Sequence, residues 1–260
     1  MKHNSHLHVR CVITIGRTES QVAADVDILD REERATFQRF VFARDRLDYA
    51  AAHALLRRTL SEAKPGVEPA AWRFARTAAG KPYVVSPPAD SMHFSISHTR
   101  GLVACATGCQ GPVGIDVECD PLAPDNASLL ADVCSRDEQA QIITAMPFER
   151  DKVFLDLWTL KEAYLKARGV GIGVDLTRYW FDLRKPGSIS APFMGPAARI
   201  WWLALIRPTA TSRAALAVRC ETPPVLDAAV IDASASRILR PVRSSHGDQE
   251  PGGGSAGIVQ

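Results

Sequence analysis

An order of elements that occurs twice constrains this chain more than any other feature of its sequence. Val9–Ile15 alternates apolar side chains to one side at Val9, Cys11, Ile13 and Ile15, the period of a half-buried strand. Asp30 with Glu33 forms a capping pair ahead of a helix through about Phe42. Leu47, Ala51, Leu55 and Leu56 recur at helical spacing over a second helix from Asp45 to Glu62, and Lys64-Pro65-Gly66 stops it. Strands are predicted at Trp72–Ala75, Tyr83–Val85, His93–Ile96 and Leu102–Thr107. The order then returns. A strand at Val113–Glu118 precedes a capping box of Ser135 and Glu138 that opens a helix toward Thr144. A longer helix runs from about Pro147 to Arg168, with Val153, Leu157, Leu160 and Tyr164 on one stripe and Gly169 at its end. Strands at Tyr179–Leu183, Ile200–Ile206 and Ala214–Arg219 complete the second round.

Each round is close to the size of a small domain, ~110 residues, so the reading is a duplication, residues 1–111 and 112–225, with a cleft where the halves meet. Residues 226–260 read as a C-terminal tail. From 241 onward its Ser/Gly/polar composition, ending in Pro251-Gly252-Gly253-Gly254-Ser255, predicts disorder and dispensability. The start, Met1 to Arg10, is polar and lacks the apolar core of a signal peptide, and no window approaches the ~20 apolar residues of a membrane span. Cys11, Cys105, Cys109, Cys119, Cys134 and Cys220 show neither a CxxC pair nor zinc-ligand spacing, which fits reduced thiols in a cytoplasmic protein. Lys and Arg number 31 against 29 Asp and Glu, a balance that argues against a nucleic-acid partner.

Four short segments can carry chemistry, and each also has a plainer reading. In Gly114-Ile115-Asp116-Val117-Glu118, strand alternation sends Asp116 and Glu118 to one side and Ile115 and Val117 into the core. Two carboxylates side by side suit a hard cation such as magnesium, or simply a wet acidic edge. In Trp158-Thr159-Leu160-Lys161-Glu162-Ala163-Tyr164-Leu165-Lys166, Glu162 and Lys166 lie i,i+4 on one helical face, with Trp158 one turn earlier. That is a solvated ion pair or the wall of a partly enclosed site. Phe94-Ser95-Ile96-Ser97-His98 ends a strand in polar groups able to donate to phosphate, or merely in a loop histidine. Gly80-Lys81-Pro82 sets a lysine on a turn.

Taken in order, these four segments resemble the signature of the surfactin-type 4′-phosphopantetheinyl transferases, over about residues 10–220. The resemblance implies an α+β fold, a pseudo-dimer of two similar α/β halves with coenzyme A bound at their interface. It implies magnesium ligands at Asp116, Glu118 and Glu162, a lysine beside the reacting phosphate at Lys166, and coenzyme A contacts at Lys81, Ser97 and His98, with Arg46 near the nucleotide end. Coenzyme A is the co-substrate, the partner is an apo acyl or peptidyl carrier protein, and the expected state is a monomer. The carrier serine attacks the β-phosphorus and 3′,5′-ADP leaves; Glu162 and a water on the metal both stand as the base. The chain departs from the family pattern at two places. Arg34 stands in the segment, Glu33–Thr36, where the prototype carries two lysines, and Tyr49 aligns with a nucleotide-contacting threonine. A non-catalytic binding module that keeps the fold, and another magnesium-dependent phosphoryl-transfer enzyme such as a nuclease, are the competing readings. Retention of all three carboxylates weighs against the first, and the near-neutral charge against the second.

Overall fold

The computed structural model describes residues 6–89, 92–108, 111–120, 126–170, 173–231 and 236–245. Cys109 and the Pro251–Ser255 run lie outside them. The first half comprises β1 (His6–Ile13), α1 (Glu19–Asp27), α2 (Arg31–Arg39), α3 (Ala43–Ala63), β2 (Arg73–Arg76), β3 (Pro82–Ser86), β4 (His93–Thr99) and β5 (Leu102–Gly108). The second comprises β6 (Val113–Cys119), α4 (Asn126–Val133), α5 (Arg136–Thr144), α6 (Arg150–Arg168), β7 (Trp201–Ile206) and β8 (Ser212–Arg219). Three further strands follow, β9 (Val225–Ile231), β10 (Ser236–Ile238) and β11 (Pro241–Ser244).

The duplication is visible in the pairing. In each half a strand leads through helices to an antiparallel hairpin whose second strand pairs back on the first, giving β1-β5-β4 in one sheet and β6-β8-β7 in the other. The fold is mixed α and β. The inner faces of both sheets share one core, which includes Val9 and Cys11 of β1, Ala104 and Ala106 of β5, Ile115 and Val117 of β6, and Ala214 and Leu216 of β8. The longest helix of each half covers the outer face of its own sheet. α3 packs Ala52, Leu55 and Leu56 with Phe94 and Val103, and α6 packs Leu157, Leu160 and Tyr164 with Leu203 and Ala215. Burying an aliphatic side chain contributes roughly 1.5–3 kcal/mol, so these three clusters carry most of the apolar stabilisation.

The capping pairs form as the sequence implies. Asp30 accepts from the Glu33 backbone N–H at 2.9 Å while the Glu33 carboxylate accepts from Asp30 N–H at 3.0 Å, and Ser135 with Glu138 does the same at α5. Gly169 closes α6 in the left-handed region at φ 66°, a conformation that costs glycine nothing.

Three expectations are corrected. Each half has one more helix than expected, α4 in the second and, in the first, α1, opened by a capping box of Thr18 and Gln21. Its residues are mostly polar or small, so hydrophobic periodicity gave no signal. Tyr179–Leu183 is not a strand; it makes a single bridge, Asp182 to Ser190. Its backbone donors go to α5 side chains instead, Phe181 N–H to Glu138 at 3.0 Å and Leu183 N–H to Gln141 at 2.8 Å. Finally, the tail expected from 226, with disorder from 241, gives way to strands at Val225–Ile231, Ser236–Ile238 and Pro241–Ser244. β9 runs parallel to β1 and carries β10, while β11 pairs with β7. The segment therefore extends both sheets, because Ala228, Val230 and Leu239 are buried in the shared core.

Candidate active site

β6 enters the groove between β4 and α6, and Gly114 makes that approach possible. A Cβ there would sit 1.9 Å from the Ala163 carbonyl oxygen and 2.5 Å from the Ala167 nitrogen, far inside van der Waals contact. With no side chain at 114, strand and helix touch backbone to backbone. Residues two and four positions on, Asp116 and Glu118, are thereby brought alongside the face of α6 that carries Trp158, Glu162 and Lys166.

Asp116 is the centre of the site and is only 5% exposed. Its Oδ1 accepts from Lys166 Nζ at 2.6 Å and from Ser97 Oγ at 2.8 Å, and Lys166 also donates to Ser97 Oγ at 2.9 Å. Three elements from the two halves thus meet in one triangle. The pairing of Glu162 with Lys166 expected from helical spacing gives way to this longer-range pair, because a buried carboxylate without a counter-charge is costly. Glu118 Oε1 accepts from the Trp158 indole N–H at 3.2 Å. Burial first, and then the charge of Asp116, push the Glu118 and Glu162 carboxyls above the usual range. Both therefore sense the Asp116 charge across a poorly hydrated space.

Two cavities open on this centre. One, of about 460 Å³, is lined by Glu162, Lys166 and Trp158 and by apolar side chains including Phe94, Ile96, Leu165 and Val174. The other, of about 420 Å³, is lined by Ser97, His98, Asp116, Glu118 and Lys166 together with Tyr49 and His53. Arg76 lines both. The structure thus brings Asp116, Glu118, Glu162, Lys166, Ser97, His98 and Lys81 around two adjoining cavities. Arg46 lines neither; its guanidinium sits 5.9 Å from the centroid of the Phe37 ring. Arg34 is likewise turned away, donating to the carbonyls of Val26 and Asp27 at the end of α1. Arg76 was missed by sequence reasoning, although it lies on the same hairpin as Gly80-Lys81-Pro82 and donates to the Gly80 carbonyl at 3.0 Å.

A divalent cation needs oxygen donors that converge. Among the described residues, no three His, Cys, Asp or Glu side chains are gathered closely enough to hold a metal by themselves. Asp116 Oδ2, however, is buried and has no hydrogen-bond partner. An orphaned carboxylate oxygen beside two more carboxylates is a fit for magnesium, which binds through one or two protein carboxylates and completes its shell with water and substrate phosphate.

Comparison with known proteins bears on what such a centre does. A family model described as the 4′-phosphopantetheinyl transferase superfamily matches residues 112–218, and one described as the N-terminal part of 4′-phosphopantetheinyl transferase matches residues 17–110. The 4′-phosphopantetheinyl transferase HetI of Nostoc sp. is 34% identical over 162 residues, 62% of this chain and 68% of the relative. The chain belongs to the 4′-phosphopantetheinyl transferase superfamily. A 4′-phosphopantetheinyl transferase of Bacillus subtilis is 28% identical over 178 residues, 68% of this chain and 75% of the relative. An L-aminoadipate-semialdehyde dehydrogenase-phosphopantetheinyl transferase of Eremothecium gossypii is 38% identical over 130 residues, 48% and 46% of the two chains. In this member of the superfamily the two model matches meet close to the start of β6, so the Asp116 triangle takes one residue from the first matched region and two from the second. No helix among the described residues is long and apolar enough to cross a membrane.

Proposed function

We propose that this chain is a 4′-phosphopantetheinyl transferase that moves the phosphopantetheine arm of coenzyme A onto the serine of an apo acyl or peptidyl carrier protein. The observation that carries the reading is the Asp116–Ser97–Lys166 triangle, built on the buried Asp116 with its unpartnered carboxylate oxygen, beside two more carboxylates and two cavities. In the reaction the serine oxygen bonds to the β-phosphorus, the bond from that phosphorus to the bridging oxygen breaks, and 3′,5′-ADP leaves with the electron pair. Asp116, through its unpartnered oxygen, together with Glu118 or Glu162 would hold magnesium, which when bound supplies charge neutralisation for the pyrophosphate.

The rest is the work of the chain itself. Lys166 holds positive charge beside the phosphate path and is anchored for that task by Asp116 and Ser97. His98, exposed on the rim of the second cavity, and Arg76, between the two, are donors for phosphate oxygens. Tyr49 and His53, with ring centroids 4.2 Å apart, offer an aromatic face to the nucleotide. The apolar wall of the first cavity suits the pantetheine chain and keeps bulk water from the phosphorus. Glu162, which lines the first cavity beside Lys166, is the carboxylate offered to the serine proton. Both halves of the site come from one chain, which supports a monomer. The five described cysteines are free, in keeping with a reducing cytoplasm.

The test is covalent labelling of several apo carrier proteins with fluorescent coenzyme A across a magnesium titration. The wild-type chain is expected to label a carrier serine. Asp116→Ala is expected to abolish labelling and weaken the magnesium dependence. Tight coenzyme A binding with no labelling of any carrier would refute the transferase reading in favour of a binding module.

A further inference from the structure

Lys81 does not extend freely into the cavity it lines. Its ammonium donates to the carbonyl oxygen of Lys166 at 2.7 Å and to that of Ala167 at 2.8 Å. These carbonyls belong to the last turn of α6, where backbone acceptors run out of helical partners and a cation is favoured by the helix dipole. The Gly169 N–H reaches Lys166 O at 3.1 Å, and Lys81 supplies a charged donor from the other half of the molecule. Gly169 makes room for it, since a Cβ there would lie 3.2 Å from Lys81 Cδ. Two of the three ammonium N–H groups are thus committed to backbone. Burial lowers the Lys81 ammonium to about 8, so at neutral pH the cap is still charged.

The residue whose carbonyl is capped is the one whose side chain reaches the reaction centre. Lys166 is a long, flexible side chain, and its ammonium must sit within 2.6 Å of Asp116 and 2.9 Å of Ser97. Where its backbone stands at the very end of a helix decides whether it arrives. We propose that Lys81 is a positioning residue for Lys166: by capping the end of α6 from the opposite half, it fixes the helix's last turn and with it the Lys166 ammonium. This rests on the transferase reading above and replaces the simpler role of Lys81 as a direct coenzyme A contact.

The test is a double-mutant cycle of Lys81→Met and Lys166→Met, read in three ways. At saturating coenzyme A, Lys81→Met is expected to lower kcat roughly 10- to 100-fold, the cost of misplacing a reacting group by about 1 Å. The coenzyme A Kd from calorimetry is expected to change less than about threefold, because the contact removed is to backbone and not to ligand. In the Lys166→Met background, Lys81→Met is expected to cost nothing further, since the residue it acts through is gone. A raised Kd with unchanged kcat, or an additive cycle, would overturn the proposal and return Lys81 to the ligand. Hydrogen exchange of the amides at 165–170 reads the same cap without any reaction, so it stands even if the wild-type chain labels no carrier. About tenfold faster exchange in Lys81→Met is expected, and unchanged protection refutes the cap. Lys81→Gln, which keeps an N–H donor and loses the charge, carries all three readings should Lys81→Met not fold.

Discussion

Lys161, inside the Trp158–Lys166 segment, is a lysine that no solvent reaches. It is 0% exposed, and its ammonium donates to Glu138 at 2.6 Å, to the Val133 carbonyl at 2.7 Å and to the Leu176 carbonyl at 2.9 Å. Glu138 is also 0% exposed and accepts from the Ser135 and Phe181 N–H groups. Burial raises the Glu138 carboxyl in spite of Lys161, which means that desolvation of this pair consumes much of its attraction. The pair therefore matters less for what it adds than for what its rupture leaves behind. Lys161→Met fills the same space with an apolar stem but strands a buried carboxylate and two carbonyls, at a cost of about 3–5 kcal/mol. Glu138→Gln in the same chain removes the stranded charge and should recover roughly half of that loss. Urea denaturation followed by far-ultraviolet circular dichroism measures both, with the midpoint falling at an unchanged slope. Coupling between the two positions of at least about 1.5 kcal/mol is expected. A Lys161→Met variant within about 1 kcal/mol of wild type, or purely additive single effects, would refute the account of α6 as a helix anchored through a buried ion pair.

Other outcomes follow from the same geometry. Gly114→Ala places a Cβ where the Ala163 carbonyl already stands, so β6 and α6 must separate; a loss of about 1–3 kcal/mol and a roughly 100-fold fall in transfer rate are expected, checked by denaturation and single-turnover labelling. Glu33 is buried; desolvation raises its carboxyl, but His53 and then the Asp30 N–H and Arg57 outweigh that and hold it at about 2 against an ordinary 4.5. It therefore contributes about 3 kcal/mol that is present above pH 4.5 and is lost as pH falls from there toward 2; Glu33→Gln should flatten the acid limb of a thermal-midpoint profile in that window. Deleting residues 225–260 strips Val230 and Leu239 from the core, removing about 4 kcal/mol from those two side chains alone, and the thermal midpoint should fall by more than ~8 °C. His98→Ala should weaken coenzyme A binding, measured by calorimetry, by about tenfold through loss of a charge-assisted contact to phosphate.

Much of this molecule is legible without coordinates, because its signals are local. Capping pairs at Asp30 and Ser135, the helical stripe of α6 and the strand alternation around Asp116 each depend on residues within a few positions of one another. The twofold order of elements follows from those, and so does the family, whose motifs are short and ordered. What the sequence does not reveal is which distant group each side chain will meet. Glu162 and Lys166 have ideal spacing for a pair, yet Lys166 turns to Asp116, 50 positions away, because a buried carboxylate demands a counter-charge more strongly than a half-buried one. Lys81 reads as an exposed turn lysine and becomes the cap of a helix in the other half. Lys161 reads as one more polar member of a motif and is sealed in the core. Arg46 and Arg76 are indistinguishable as letters, and only the hairpin geometry turns Arg76 into the cavities. Val225–Ile231 and Pro241–Ser244 read as parts of a tail because neither has a partner nearby in sequence; both are held by edges of two sheets that exist only once both halves have folded. Local propensity is written in neighbouring residues; the pairing of buried charges and the completion of sheet edges are settled by desolvation and backbone hydrogen bonding across the assembled chain.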